Sequence, residues 1–179
     1  MTDFQPPPTY DLYVSRFLER QRAEGMVLAA ASDLIELEEH PFAPPNFVVT
    51  FRCKGLVRSP DGEIEEANFF QAGIWFPPDY LRRVDPFQVL RWFAPSNIWH
   101  PNISNTLPLV CVGKIAPGTT LVELILQLYD IITYRKYTPR EDDALNHACC
   151  SWARDNQSRF PVDQRPLRRR PLGLEVTPL

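Results

Sequence analysis

No apolar run in this chain approaches the roughly 18 to 20 residues that a membrane-spanning helix needs, so no membrane partner is expected. The opening Met1-Thr2-Asp3-Phe4-Gln5 lacks a basic start followed by an apolar stretch, which argues against a secretion signal. Four cysteines, Cys53, Cys111, Cys149 and Cys150, are too few and too irregular for a disulfide framework. A reducing cytoplasm is the expected setting, with free thiols. There is no G-x-x-x-x-G-K-[ST] phosphate loop, no G-x-G-x-x-G fingerprint, no H-E-x-x-H helix and no pair of C-x-x-C motifs. Neither a nucleotide cofactor nor a metal is therefore expected, and any activated acyl group has to be prepared by another protein. A broad basic field is also missing: the net charge is -3, and the arginines gather at Arg165, Arg168, Arg169 and Arg170. Specific nucleic-acid binding is not expected.

What is present is proline, 19 residues of it, set among apolar segments that make up 44% of the chain. At 179 residues the length suits one sizeable core. Residues 1–8, ending in Pro6-Pro7-Pro8, read as an extended lead-in, residues 9–160 as the domain, and residues 161–179 as an Arg/Pro-rich arm on the surface or on a partner.

Within the domain, Thr9 can cap a helix running to about Ala31, with Tyr10, Tyr13, Val14, Phe17, Leu18 and Leu28 on one side; Gln21 interrupts that stripe and Gly25 weakens its middle. Four strands are then expected, over 34–38, 47–58, 68–76 and 87–93, the second with Phe47, Val49, Phe51 and Cys53 on one face. Cys53, Cys149 and Cys150 read as packing residues. Thr119 or Thr120 can cap a central helix to about Tyr134, striped by Leu121, Leu124, Ile125, Leu128, Tyr129 and Ile132, and a last helix is expected over 144–157. Sequential strands with a helix before and helices after argue for an α+β fold, an antiparallel meander covered on one face.

Between the fourth strand and the central helix lies the long irregular stretch from Pro95 to Thr120, with four prolines, two glycines and one cysteine, Cys111. Loops held by rigid flanks concentrate chemistry. Cys111 is read as a nucleophile that carries an acyl group, against the simpler reading of a buried cysteine between Val110 and Val112.

These residues resemble the ubiquitin-conjugating enzymes, or E2 proteins. His100-Pro101-Asn102 is similar to the family's His-Pro-Asn, which is followed about ten residues later by the acceptor cysteine; here His100 and Asn102 precede Cys111 by eleven and nine residues. Phe76-Pro77-Pro78-Asp79-Tyr80 resembles the segment that closes the family's third strand, Pro117-Gly118-Thr119-Thr120-Leu121 the approach to its central helix, and Tyr137 to Asn146 the region bordering its active site. The resemblance spans about 9–160, in order, and looks closest to divergent bacterial E2-like proteins, some of them encoded in antiviral defence operons. It implies the E2 architecture, with an N-terminal helix, a four-stranded antiparallel meander, an active-site loop, a central helix and a C-terminal helix. Two features depart from the common enzymes: the stretch from Cys111 to Pro117 is short and lacks their Trp, and Arg82 and Arg83 stand near the place of a ligase-contacting Phe. Binding of RING- or HECT-type ligases is accordingly not implied.

The resemblance further implies the chemistry: Cys111 accepts a ubiquitin-like protein from an E1-like enzyme as a thioester and passes it to an amine acceptor. Thiol exchange needs only a modest thiolate fraction. The resemblance gives His100 a scaffolding role. Asn102 is either a donor to the oxyanion or a brace for the Cys111 loop. Asp143 places and deprotonates the incoming amine, caps the last helix together with Asp142, or does both. Two other classes remain: a non-catalytic module that binds a ubiquitin-like protein, and a thiol hydrolase or acyltransferase of another kind.

Overall fold

The computed structural model describes residues 10–40 and 46–168. The expected lead-in, the Thr9 cap, the turn over 41–45 and the arm from Arg169 onward lie outside the described residues.

The first helix, α1 (Leu12–Ala30), is capped by Asp11, whose carboxylate accepts the Val14 N–H at 2.9 Å. Its buried positions are Val14, Leu18, Gln21, Gly25 and Leu28, spaced alternately by four and three. Tyr13, expected on that stripe, is 77% exposed. Gln21 belongs to the stripe, because its side-chain oxygen accepts the N–H of Leu121 at 2.8 Å and satisfies one of the unpaired amides that start the central helix. Gly25 belongs there too. A Cβ at that position would lie 2.7 Å from Leu121 and 2.8 Å from Leu37, so glycine permits the close approach of three elements.

Strands β1 (Ile35–Glu39), β2 (Asn46–Phe51), β5 (Phe70–Trp75) and β6 (Leu90–Ala94) form one antiparallel sheet in the order β1-β2-β5-β6. Its register sets Leu37 against Val49, Val49 against Ala72 and Ala72 against Trp92, a buried row across all four strands. This is the expected meander, with one elaboration. The run expected as a single strand over 47–58 breaks at Arg52-Cys53-Lys54, and its second half, β3 (Gly55–Arg58), pairs with β4 (Ile64–Ala67) as a separate hairpin.

The cause of the break lies far along the chain. The Lys54 N–H donates to the Asp163 carboxylate and the Arg52 carbonyl accepts from Arg165, so neither backbone group serves a strand ladder at this point. Residues 161–168 thus lie against the domain, with Leu167 in the main core.

The expected strand over 87–93 also begins later. Pro86 at the first helical position and Asp85, which accepts the Phe87 N–H at 3.0 Å, set a single helical turn, α2 (Pro86–Val89), before β6 starts.

The central helix, α3 (Leu121–Ile132), carries a capping box: Thr120 accepts the Glu123 N–H and the Glu123 carboxylate accepts the Thr120 N–H. Those hydrogen bonds hold the Glu123 carboxyl below its ordinary value. The stripe Leu121, Leu124, Ile125, Leu128, Tyr129 and Ile132 is buried as expected, together with Ile131. The helix stops at Ile132, short of Tyr134, which adopts a left-handed φ of 58°. The last helix, α4 (His147–Asp155), starts three residues later than expected, at the Asn146 cap, after a 3-10 turn over Glu141–Asp143. No helix among the described residues is long and apolar enough to cross a membrane.

Candidate active-site loop

The stretch after β6 is pinned twice by backbone pairing. Ile98 bridges to Val57, and Ile103 bridges to Val110, which closes residues 104–109 into a turn stabilised by the Ser104 hydroxyl. One residue past the second bridge, Cys111 lies opposite Asn102. Val110 and Val112 point into the core, so Cys111 between them faces outward and is partly exposed. Cys53, Cys149 and Cys150 are fully buried. Burial pushes the thiols of Cys53 and Cys149 up to about 12 and raises that of Cys150.

Asn102 holds this arrangement with its whole polar inventory. Its backbone carbonyl accepts the Cys111 N–H at 2.8 Å. Its side-chain amide donates to the Cys111 carbonyl and to the Thr138 hydroxyl, both at 2.9 Å, and its side-chain oxygen accepts the Thr138 N–H at 2.8 Å. Both amide protons are therefore committed, on a side chain only 3% exposed.

His100 lies directly beneath. It is fully buried, and its Nδ1 accepts the Asn102 N–H at 3.0 Å, which leaves the proton of the neutral ring on Nε2. Desolvation pushes its pKa down to about 3, weakly opposed by the Lys136 backbone, with which Nε2 makes no hydrogen bond of ordinary geometry. Such a group stays uncharged at neutral pH and has no route to solvent. Its ring packs edge-on against Tyr134, with centroids 4.4 Å apart, and the Tyr134 hydroxyl donates to the Trp99 carbonyl. The left-handed turn at Tyr134 is what aims this ring at His100.

Asp143 lies on a 3-10 turn whose following residues are tied to the loop through the backbone. The N–H groups of Leu145 and Asn146 both donate to the Pro101 carbonyl, at 2.9 and 3.1 Å, so the 3-10 turn is hung from the His100-Pro101-Asn102 segment. The Asp143 carboxylate is exposed and makes no hydrogen bond or ion pair among the described residues. Neither Asp142 nor Asp143 caps α4; the Asn146 side chain does, by accepting the Cys149 N–H. Glu141 holds the turn instead, bonded to Ser151 and Arg154, and those partners keep its carboxyl below the ordinary value.

Two groups in this region escape sequence reasoning. Lys136 donates its ammonium to the Val112 carbonyl, one residue past Cys111, at a place where Gly113 takes a φ of 93°. Thr138 completes the clamp on Asn102. Both sit beyond the end of α3 and reach the loop only because the chain reverses at Tyr134; Thr138 falls in the stretch from Tyr137 to Asn146 that the resemblance covers, yet no local pattern gives either residue its role. The segment Phe76–Tyr80, by contrast, does visible structural work: Tyr80 is buried against Phe76, and its hydroxyl donates to the Thr119 carbonyl at 2.7 Å, tying this segment to the start of α3. Among the described residues, no group of three His, Cys, Asp or Glu side chains could hold a metal ion.

No family model matches this chain, and no curated protein matches it in sequence. A solved structure described as "Novel Ubiquitin-Conjugating Enzyme" is similar in fold, with a TM-score of 0.56, 15% identity, and coverage of 83% of this chain and 90% of that chain. At that identity the likeness shows the architecture alone: an N-terminal helix, a four-stranded antiparallel sheet and C-terminal helices arranged as in the E2 fold.

Proposed function

We propose that this chain is an E2-like conjugating enzyme, which accepts the C-terminal acyl group of a ubiquitin-like protein from an E1-like enzyme and transfers it to an amine. The observation that carries this reading is the outward-facing Cys111, the one thiol not buried, locked by Asn102 on both its N–H and its carbonyl. A carrier of a macromolecular acyl group needs an accessible thiol on a rigid loop, and the partly exposed, doubly held Cys111 supports that reading.

In the first step the Cys111 thiolate attacks the E1 thioester carbonyl, a new C–S bond forms, and the E1 thiolate leaves. In the second an uncharged amine attacks the Cys111 thioester, the C–N bond forms, and Cys111 leaves as thiolate while the amine gives up its proton. His100 cannot take that proton, being buried and already bonded at Nδ1, so it serves as scaffold. Asn102 is the brace of the loop, since both its amide protons are occupied. Asp143, exposed and unpaired on the turn tied to Pro101, is the carboxylate that places the incoming ammonium and accepts its proton after desolvation.

The partners are a ubiquitin-like protein, an E1-like enzyme and a protein or other amine acceptor, as in the divergent bacterial E2-like proteins that this sequence resembles. Recruitment by a RING- or HECT-type ligase is not part of the proposal, because Arg82 is paired with Asp11 and Arg83 is exposed where a ligase-contacting aromatic would be needed.

The test is incubation with the ubiquitin-like protein and E1-like enzyme encoded beside the gene, with ATP, followed by non-reducing electrophoresis. A thiol-sensitive adduct is expected on the wild type, and a hydroxylamine-sensitive oxyester on Cys111→Ser. No adduct from a verified, charged E1 and folded protein would overturn the carrier reading in favour of the non-catalytic module.

A further inference from the structure

Away from the Cys111 loop, a cleft of about 320 Å³ opens between the β3–β4 hairpin and α4 with its following turn. Arg58, Glu63 and Ile64 line it from the hairpin, Trp152 and Arg159 from the helical side, and Trp99 between them. Each arginine is stacked on a tryptophan: the Arg58 guanidinium lies 5.2 Å from the Trp99 ring centroid and that of Arg159 lies 5.4 Å from Trp152. The two indoles meet edge to face at 6.3 Å, so the stacks share one aromatic base. Arg159 also donates to the Ile64 carbonyl at 3.1 Å, which fixes it across the cleft mouth. Neither guanidinium has a carboxylate within ion-pair reach among the described residues, while Glu63 lines the same cleft with its carboxylate equally unpaired.

Stacking satisfies the face of a guanidinium and leaves its N–H edge for an oxyanion. Two such cations, ordered in advance, lose little freedom when they bind. A carboxylate beside them takes hydroxyl donors and repels a bare dianion. We infer that this cleft binds a phosphate monoester bearing hydroxyl groups, the chemistry of a sugar phosphate or a nucleoside monophosphate, with Arg58 and Arg159 on the phosphate and Glu63 on the hydroxyls. Trp99 precedes His100, donates its backbone N–H to the Leu56 carbonyl at 2.8 Å and accepts the Tyr134 hydroxyl on its own carbonyl, so the cleft and the Cys111 frame share one residue. The inference does not rest on the carrier chemistry, and its test involves none.

The test is titration of the full chain with ribose 5-phosphate, adenosine monophosphate, ribose and inorganic phosphate, read by calorimetry and by tryptophan fluorescence. Saturable binding of ribose 5-phosphate is expected, with ribose alone inert, and Arg58→Gln or Arg159→Gln weakening it about tenfold each. Glu63→Gln weakens ribose 5-phosphate and strengthens inorganic phosphate. Adenosine monophosphate binding more tightly than ribose 5-phosphate identifies the nucleotide as the source of the phosphate; the reverse order identifies a sugar phosphate. Cys111→Ser leaves every one of these affinities unchanged. No saturable binding by any phosphate, or binding that persists in both arginine variants with their melting temperatures preserved, overturns the assignment.

Discussion

Asn102 grips Cys111 at two points of its backbone, taking its N–H on the Asn102 carbonyl at 2.8 Å and offering its side-chain amide to the Cys111 carbonyl at 2.9 Å. A cysteine held in this way is positioned through its own main chain, and its partly exposed side chain takes no part in the support. That separation of support from chemistry governs what substitutions here will do.

Asn102→Ala removes the side-chain bonds to Cys111 and to Thr138 and takes the partner from the partly buried Thr138 N–H. A loss of about 2 kcal/mol of stability is expected, since each of the three hydrogen bonds removed contributes about 0.5 to 1.5 kcal/mol. Hydrogen exchange over 109–113 should accelerate in the same variant. Unchanged denaturation and exchange beside a lost transfer step would assign Asn102 to the oxyanion instead of the loop.

Stability should fall with acid in a window set by His100. Its folded pKa, about 3, lies below the ordinary 6.5, so the unfolded chain binds the extra proton first as pH drops. The contribution is complete above about pH 6.5, shrinks below it, and is gone by about pH 3. Between pH 7 and pH 5 the loss is about 2 kcal/mol. Chemical denaturation at the two pH values measures it, and His100→Asn should flatten the dependence over that interval. A wild-type curve without slope there would mean that the ring is protonated in the folded state.

A bulky maleimide should label one thiol per folded chain, Cys111, because Cys53, Cys149 and Cys150 are fully buried. Asp163→Asn is expected to add Cys53 as a second site. The Asp163 carboxylate, held down to about 2 chiefly by its bond to the half-exposed Arg165, anchors the Lys54 N–H next to Cys53, and the substitution weakens both contacts. Peptide mapping of the labelled protein counts the sites. Labelling at Cys149 in the wild type would show that α4 opens more readily than its packing indicates.

Gln21→Leu should destabilise the protein by about 1 to 2 kcal/mol although it lengthens an apolar stripe. The substitution orphans the Leu121 N–H at the buried start of α3. Thermal melting distinguishes this from the gain expected of a simple hydrophobic replacement.

Where the sequence was legible, the physics is local. The stripe of α3, its threonine cap and the alternation of Phe47, Val49 and Phe51 each depend on neighbours within about one or two turns or strand repeats, and each is present as expected, the cap falling on Thr120. The element boundaries that moved answer to distant residues. The strand over 47–58 breaks because Asp163 and Arg165 take its backbone groups from more than a hundred positions away. The start of α1 at Leu12 has a nearer reason, the Asp11 carboxylate that accepts the Val14 N–H one turn into the helix.

By itself the sequence determined the α+β order of leading helix, meander and later helices, the place of Cys111 in a proline-rich loop and the spacing of His100, Asn102 and Cys111. Only the tertiary structure decided how they meet: that His100 is a neutral, sealed prop, that both protons of the Asn102 amide are spent on Cys111 and Thr138, and that Lys136 holds the far side of the loop. Spacing along a chain fixes which residues can share a turn, while the charge state and free hydrogen-bonding capacity of a group are set by what surrounds it. Those surroundings come from α3, the reversal at Tyr134 and the 3-10 turn, which converge on the loop only in the folded molecule.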